Sequence, residues 1–76
     1  GPGMIRWTPQ QMDRLEQAAR KGLRVQLLRR GTEYIVTARR VTSRGRKEVF
    51  VGYLPMTGEE LVVPIEEIDH FEVIGP

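Results

Sequence analysis

The hydrophobic pattern of the chain changes its period at Gly22, and this change constrains the fold more than any other feature of the sequence. In the preceding residues, Met12, Leu15 and Ala19 recur at spacings of three and four, which is typical of one face of an amphipathic helix. After Gly22, apolar and polar residues alternate, as in half-buried strands. The sequence therefore predicts one helix, at about residues 9 to 21, followed by strands in a mainly β (α+β) fold.

Residues at the start of this helix support its position. Thr8 can accept a hydrogen bond from the first helical turn, Pro9 suits the first helical position, and Gln11 completes a capping box. Trp7 comes just before the cap, and we predict that it packs on Met12 as a hydrophobic staple.

Five short β segments follow the helix, separated by turns that contain Gly or Pro. They cover residues 23–28, 33–41, 48–54 and 61–64, and a last strand at 70–74 after one helical turn at 65–68. Five antiparallel strands of this length close into a small barrel more easily than they stay open, because closure removes exposed edges. We therefore expect an N-terminal amphipathic helix followed by a five-stranded antiparallel small β-barrel.

The length and composition of the chain exclude several classes of protein. Its 76 residues suffice for one domain, predicted as residues 4–76, and residues 1–3 are expected to be the remnant of a purification tag. No apolar run approaches the roughly 20 residues that cross a bilayer, so we expect a soluble, cytoplasmic protein that does not bind membranes. The chain has no Cys and one His, His70. We therefore expect no metal site, no cofactor and no enzymatic activity.

Basic and acidic residues are separated along the chain. All twelve Lys and Arg residues lie between Arg6 and Lys47, a stretch with a net charge of +9. From Glu48 onward there are seven acids and no Lys or Arg, which gives −7. This asymmetry is typical of a basic nucleic-acid face or of an acidic protein-binding face. Alternatively, the last strand lies beside the first, and the two halves neutralise each other across strands.

Several segments of the second half carry a family resemblance. They are Arg39-Arg40-Val41 through Val51-Gly52-Tyr53, then Thr57-Gly58-Glu59-Glu60-Leu61, Pro64-Ile65-Glu66-Glu67-Ile68 and Phe71-Glu72-Val73-Ile74. Over residues 34–74 this pattern resembles the WYL domain, an Sm-like small β-barrel of bacterial transcription regulators. The Trp-Tyr-Leu signature of that family falls on Glu48-Val49-Phe50 in this sequence.

A second resemblance covers more of the chain. It includes the N-terminal helix and the segments Leu23-Arg24-Val25-Gln26-Leu27, Lys47-Glu48-Val49-Phe50 and Ile65-Glu66-Glu67-Ile68-Asp69-His70-Phe71. This pattern is similar to the Rof family, Sm-like inhibitors of the termination factor Rho. Both resemblances imply an Sm-like barrel that acts in bacterial transcription or RNA metabolism.

The turn around Gly45 carries the residues that we predict to bind nucleic acid. The basic residues that lead into this turn or surround its tip are Arg39, Arg40, Arg44, Arg46 and Lys47. A hairpin tip projects beyond the strand pairing that would neutralise it, so these residues should form a positive patch for RNA or single-stranded DNA. The nearby aromatic residues for stacking on bases are Tyr34, Phe50 and Tyr53.

The acidic half of the chain supports an alternative hypothesis, in which the chain is a protein–protein interaction module or a regulator, for example of a transcription factor. Its protein-binding residues would be Glu59, Glu60, Glu66, Glu67 and Glu72, or the helix would dock the partner instead. The sequence is also compatible with a homo-oligomer.

Overall fold

One helix and five strands make up the fold. The computed structural model describes residues 7–76. In chain order the elements are helix α1 (Pro9–Lys21), strands β1 (Arg24–Arg29), β2 (Thr32–Arg44), β3 (Lys47–Tyr53) and β4 (Glu60–Pro64), a 3₁₀ turn (Ile65–Glu67) and strand β5 (Ile68–Gly75). The predicted mainly β fold with one N-terminal helix is confirmed. The predicted tag remnant lies outside the described residues.

Helix α1 begins and ends where the sequence predicts. The Oγ1 atom of Thr8 accepts a hydrogen bond from the backbone N–H of Gln11 at 3.2 Å, and Pro9 occupies the first turn. The helix buries Leu15 and Ala18 against the sheet. Neither α1, with its 13 residues, nor any other part of residues 7–76 forms a helix long and apolar enough to cross a membrane.

Trp7 makes a contact that the sequence analysis did not predict. Its ring stacks on the ring of Phe71 in β5, with 5.7 Å between the centroids and 10° between the planes. Trp7 and Met12 both pack against the core and line one surface depression. Trp7, the residue before the helix cap, therefore packs the start of α1 against β5.

The five strands form one antiparallel sheet in the order β4, β3, β2, β1, β5. Two-residue turns, Arg30–Gly31 and Gly45–Arg46, join the first three strands. The second turn is shorter than the predicted one, because β2 extends to Arg44, which pairs with Lys47. Strand β5 lies beside β1, as in the hypothesis that the last strand neighbours the first.

The sheet does not close into the expected barrel. Each strand is antiparallel to its neighbours in this order, so the two edge strands, β4 and β5, run in the same direction. Adjacent parallel strands need a crossover of a dozen or more residues, whereas three residues join β4 to β5. A flat sheet of five strands would separate its edges by roughly 19 Å, and this link spans at most about 14 Å. The sheet is therefore strongly bent and remains open between β4 and β5.

The core lies between α1 and one face of the bent sheet. Its largest fully buried side chains include Phe50 of β3, Leu15 of α1 and Leu27 of β1. Strand β3 is also buried on its opposite face, where Val51 lies between Arg40 of β2 and Val62 of β4 in the strand register. Residues 49–52 of β3 are thus buried on both faces of the strand, whereas the hairpin tip that joins β3 to β2 is exposed.

Candidate nucleic-acid interface

A β-bulge in β2 sets the direction of the first two predicted basic residues. Ala38 pairs with Gly52 and Arg40 pairs with Val51, so Arg39 is an extra residue without a partner on β3. A bulge of this kind bends its strand and redirects side chains. Arg39 and Arg40 are consequently both exposed, although they are neighbours on one strand.

Two further arginines lie at the tip of the same hairpin. Arg44 ends β2 on the face that Arg40 also occupies, and Arg46 lies in the two-residue turn. Both are exposed. Among residues 7–76, no acidic side chain forms an ion pair with any of these four residues. We call Arg39, Arg40, Arg44 and Arg46 the arginine strip.

Lys47, the fifth predicted basic residue, differs from the strip because it has an acidic partner. Its Nζ atom lies 2.8 Å from Oε1 of Glu66 in the 3₁₀ turn. The hydrogen bond to Glu66, and then the negative charge of that group, raise the pKa of Lys47 above its ordinary value of 10.5. The charge of Lys47 is thus partly compensated within the chain.

Glu67, the next residue of the 3₁₀ turn, compensates two more cations. Its Oε1 atom accepts a hydrogen bond from Nε of Arg29 at 2.8 Å and lies 2.7 Å from Nη2 of the same residue, while Oε2 is 3.7 Å from Nη2 of Arg30. The hydrogen bond from Arg29 holds the pKa of Glu67 below its ordinary value of 4.5. Internal neutralisation therefore occurs at the 3₁₀ turn and leaves the arginine strip uncompensated.

Helix α1 adds Arg20, a residue that the sequence analysis did not select. Glu16, Ala19, Arg20, Arg39, Arg40 and Val41 line a depression of about 290 Å³ between α1 and β2. Glu16 forms no ion pair with Arg20 in this part of the chain, although four residues separate them on the helix. Local sequence patterns do not show which face of α1 meets β2. The sequence alone therefore could not place Arg20 beside Arg39 and Arg40.

The three aromatic candidates for stacking differ in their accessibility. Phe50 is 0% exposed and belongs to the core, and Tyr34 packs against the core. Tyr53 is half-buried at the end of β3, and the guanidinium carbon of Arg39 lies 5.5 Å from its ring centroid. Of the three, Tyr53 is thus the residue directly beside the arginine strip.

The five acidic residues of the alternative hypothesis occupy separate places. Glu66 and Glu67 hold cations of the chain itself, and Glu59 accepts a weak hydrogen bond from the hydroxyl of Thr57 at 3.4 Å. Glu60 lies on β4 and Glu72 on β5, the two edge strands of the sheet. The structure therefore does not bring these five carboxylates together as one cluster.

The His and acidic side chains of the described part of the chain are not grouped as metal ligands. Residues 7–76 contain no group of three or more His, Asp or Glu side chains placed to hold a metal ion. His70 is exposed, and its Nε2 atom lies 3.8 Å from a carboxylate oxygen of Glu72.

Comparison with protein-family models, with curated proteins and with solved structures gives no match for this chain. The resemblances to WYL domains and to Rof proteins remain predictions from the sequence pattern.

Proposed function

We propose that this chain is a non-enzymatic nucleic-acid-binding module of bacterial transcription or RNA metabolism, and that it holds RNA or single-stranded DNA through the arginine strip. One observation carries the proposal. The 3₁₀ turn compensates Arg29, Arg30 and Lys47, whereas the strip has no ion-pair partner among the described residues. The positive charge of the hairpin is therefore available to an external anion.

The chemistry of the strip suits phosphate groups. A guanidinium group offers several N–H donors in a planar fork, which matches two oxygens of a phosphate. Arg40 and Arg44 are four residues apart on β2, a distance of roughly 13 Å along a strand. Several phosphates of one extended strand can thus contact the hairpin together.

The acidic alternative has less support. A protein partner that binds Glu66 or Glu67 would have to replace ion pairs that these residues already make with Lys47 and Arg29. Of the remaining carboxylates, Glu60 lies on β4 and Glu72 on β5, the two edge strands, whereas Glu59 lies in the loop before β4.

Titration of fluorescein-labelled RNA and single-stranded DNA, followed by fluorescence anisotropy at two salt concentrations, tests the proposal. We expect affinity to fall steeply with salt, because each phosphate contact releases counterions. Replacing Arg44 and Arg46 by Glu turns attraction into repulsion at two contacts, each worth about 1 kcal/mol or more. Binding should weaken at least about 30-fold at low salt.

The matched control carries the same change in net charge elsewhere. Arg14 and Lys21 are exposed and lie seven residues apart on α1, hence on one helical face. The guanidinium of Arg14 lies 6.0 Å from the ring centroid of Phe71, and neither residue lines the depression that contains Arg20 and Arg40. Arg14→Glu plus Lys21→Glu should reduce affinity much less than the hairpin variant. Equal losses in the two variants would show that net charge, and not the strip, governs binding. A wild-type protein that binds no oligonucleotide at low salt would refute the proposal.

A further inference from the structure

A second depression, of about 300 Å³, lies at the end of β3 next to the arginine strip. Its lining comprises Arg39, Gly52, Tyr53, Gly58 and Glu60. Tyr53 and Glu60 are direct partners in the register of β3 and β4, so their side chains lie on the same face of the sheet. Arg39 contributes to this depression and also to the one that contains Arg20 and Arg40. The two depressions thus share one lining arginine.

The Tyr53 side of this depression is suited to a flat aromatic ligand. The guanidinium group of Arg39 lies over the Tyr53 ring, and both groups are surfaces on which nucleic-acid bases stack. Gly58 carries no side chain, and nothing lies within 4 Å of the position that a Cβ atom would occupy there. A base can therefore approach Tyr53 and Arg39 from the side of the loop that connects β3 to β4.

The Glu60 side of the depression adds selectivity. Within residues 7–76, the Glu60 carboxylate has no ion-pair or side-chain hydrogen-bond partner, even though Arg39 lines the same depression. An ionised carboxylate only accepts hydrogen bonds. Guanine presents two adjacent donors, N1–H and N2–H, on its Watson–Crick edge, whereas uracil presents one N–H and adenine and cytosine each present one amino group there. A carboxylate beside a stacking surface thus favours guanine.

We propose that this depression is a guanine subsite for single-stranded nucleic acid. The base stacks on Tyr53 and Arg39 and donates N1–H and N2–H to Glu60. The adjoining phosphate binds Arg20 and Arg40 in the depression beside α1, whose lining has three arginines against one carboxylate, Glu16. The inference rests on the proposed function, since the arginine strip holds the rest of the strand, and it adds base preference to that function.

Three labelled RNA oligonucleotides of equal length test the subsite by anisotropy. One is all uridine, one has a central guanosine, and one has a central inosine, which keeps N1–H but lacks the N2 amino group. Wild-type protein should bind the guanosine oligonucleotide about 5-fold or more tightly than the inosine one. Equal affinity for guanosine and inosine would overturn the subsite.

Glu60→Gln separates base recognition from general electrostatics. Removing a negative charge should strengthen binding of the all-uridine oligonucleotide, while the preference for guanosine over inosine is lost. The control Glu59→Gln makes the same charge change at the neighbouring residue and should keep the preference. If the Glu60→Gln variant also keeps the preference for guanosine over inosine, Glu60 does not recognise the base.

Tyr53→Leu and free nucleotides complete the test. Leu retains apolar bulk but offers no ring, so affinity for each oligonucleotide should fall about 5-fold or more, with folding checked by circular dichroism.

GMP should compete better than CMP, although far more weakly than the oligonucleotide. A GMP affinity equal to that of the oligonucleotide would assign the depression to a free nucleotide instead. Binding without base preference refutes the subsite alone, whereas no binding of any oligonucleotide refutes the proposed function.

Discussion

At Gly52 the packing of the sheet leaves no room for a side chain. A Cβ atom there would lie 2.9 Å from the backbone oxygen of Thr37, 3.2 Å from the Phe50 ring and 3.3 Å from Cβ of Val36. The closest of these atoms belongs to the backbone and cannot move aside without disturbing the ladder between β2 and β3. Gly52 therefore permits the close approach of these two strands and fixes the position of the next residue, Tyr53.

We predict that Gly52→Ala lowers the free energy of unfolding by about 1 to 3 kcal/mol, the usual range for overpacking a core. Urea denaturation followed by circular dichroism measures this change. Ser43→Ala is the control, because Ser43 is exposed and lies on the same pair of strands, opposite Glu48. Its effect should stay within about 0.5 kcal/mol. A Gly52→Ala variant as stable as wild type would show that β2 and β3 separate without loss.

Among the elements, the turn between β1 and β2 contains a strained residue. Arg30 has a φ of 45°, the one positive φ among the non-glycine residues from 7 to 76, and Gly31 follows with a φ of 85°. Two consecutive positive φ values are typical of a type I′ hairpin turn, which favours Asn-Gly. Arg adopts a positive φ only at a cost in free energy, whereas Asn adopts it routinely.

Arg30→Asn should therefore raise the free energy of unfolding by about 0.5 to 1 kcal/mol. The lost contact with Glu67 subtracts little, because Arg30 is 71% exposed and the distance is 3.7 Å. Arg46→Asn, in the other two-residue turn but without a positive φ, should give no such gain. Thermal unfolding of the two variants side by side makes the comparison, and an equal shift in both would contradict the strain argument.

Local signals predicted α1 well, because Thr8, Pro9 and the apolar spacing all act within a few residues. The bounds of the hairpin were less predictable: residues 42–44 suit a turn or a strand, and the two-residue turn at Gly45 decides between them. The open sheet could have been foreseen from the strand count and the three-residue link between β4 and β5. The bulge at Arg39, the position of Arg20 and the pairing of Tyr53 with Glu60 depend on tertiary packing, which no local pattern encodes.

At the scale of the whole molecule, the 3₁₀ turn connects the two oppositely charged halves of the chain. Glu66 and Glu67 come from the acidic half, and Arg29, Arg30 and Lys47 come from the basic half. The pKa of Glu67 is lowered by folding, so its ionised form stabilises the folded state. This contribution is complete above the ordinary pKa of 4.5 and disappears as the pH falls through the lower folded-state value.

Glu67→Gln should accordingly lower the melting temperature at neutral pH. The difference from wild type should shrink as the pH falls below about 4.5 and vanish once Glu67 is protonated in the folded protein. Calorimetry across a series of acidic buffers records this trend. Glu48→Gln is the control, since Glu48 is exposed and outside the ion pairs described, and its melting temperature should follow that of wild type. A difference for Glu67→Gln that persists unchanged in strong acid would contradict the assignment.

The strand order has a consequence for the chain while the ribosome is still making it. Strand β1 ends at Arg29, and its second partner, β5, begins 39 residues later at Ile68. At a translation rate of about 5 to 20 residues per second, β1 lacks its partner β5 for roughly 2 to 8 s. Its hairpin with β2 forms within microseconds. The nascent chain thus shows a temporary free strand edge to its neighbours on the same messenger RNA. Arg24 and Arg29 stand at the two ends of β1, and their like charges disfavour pairing between two such nascent chains.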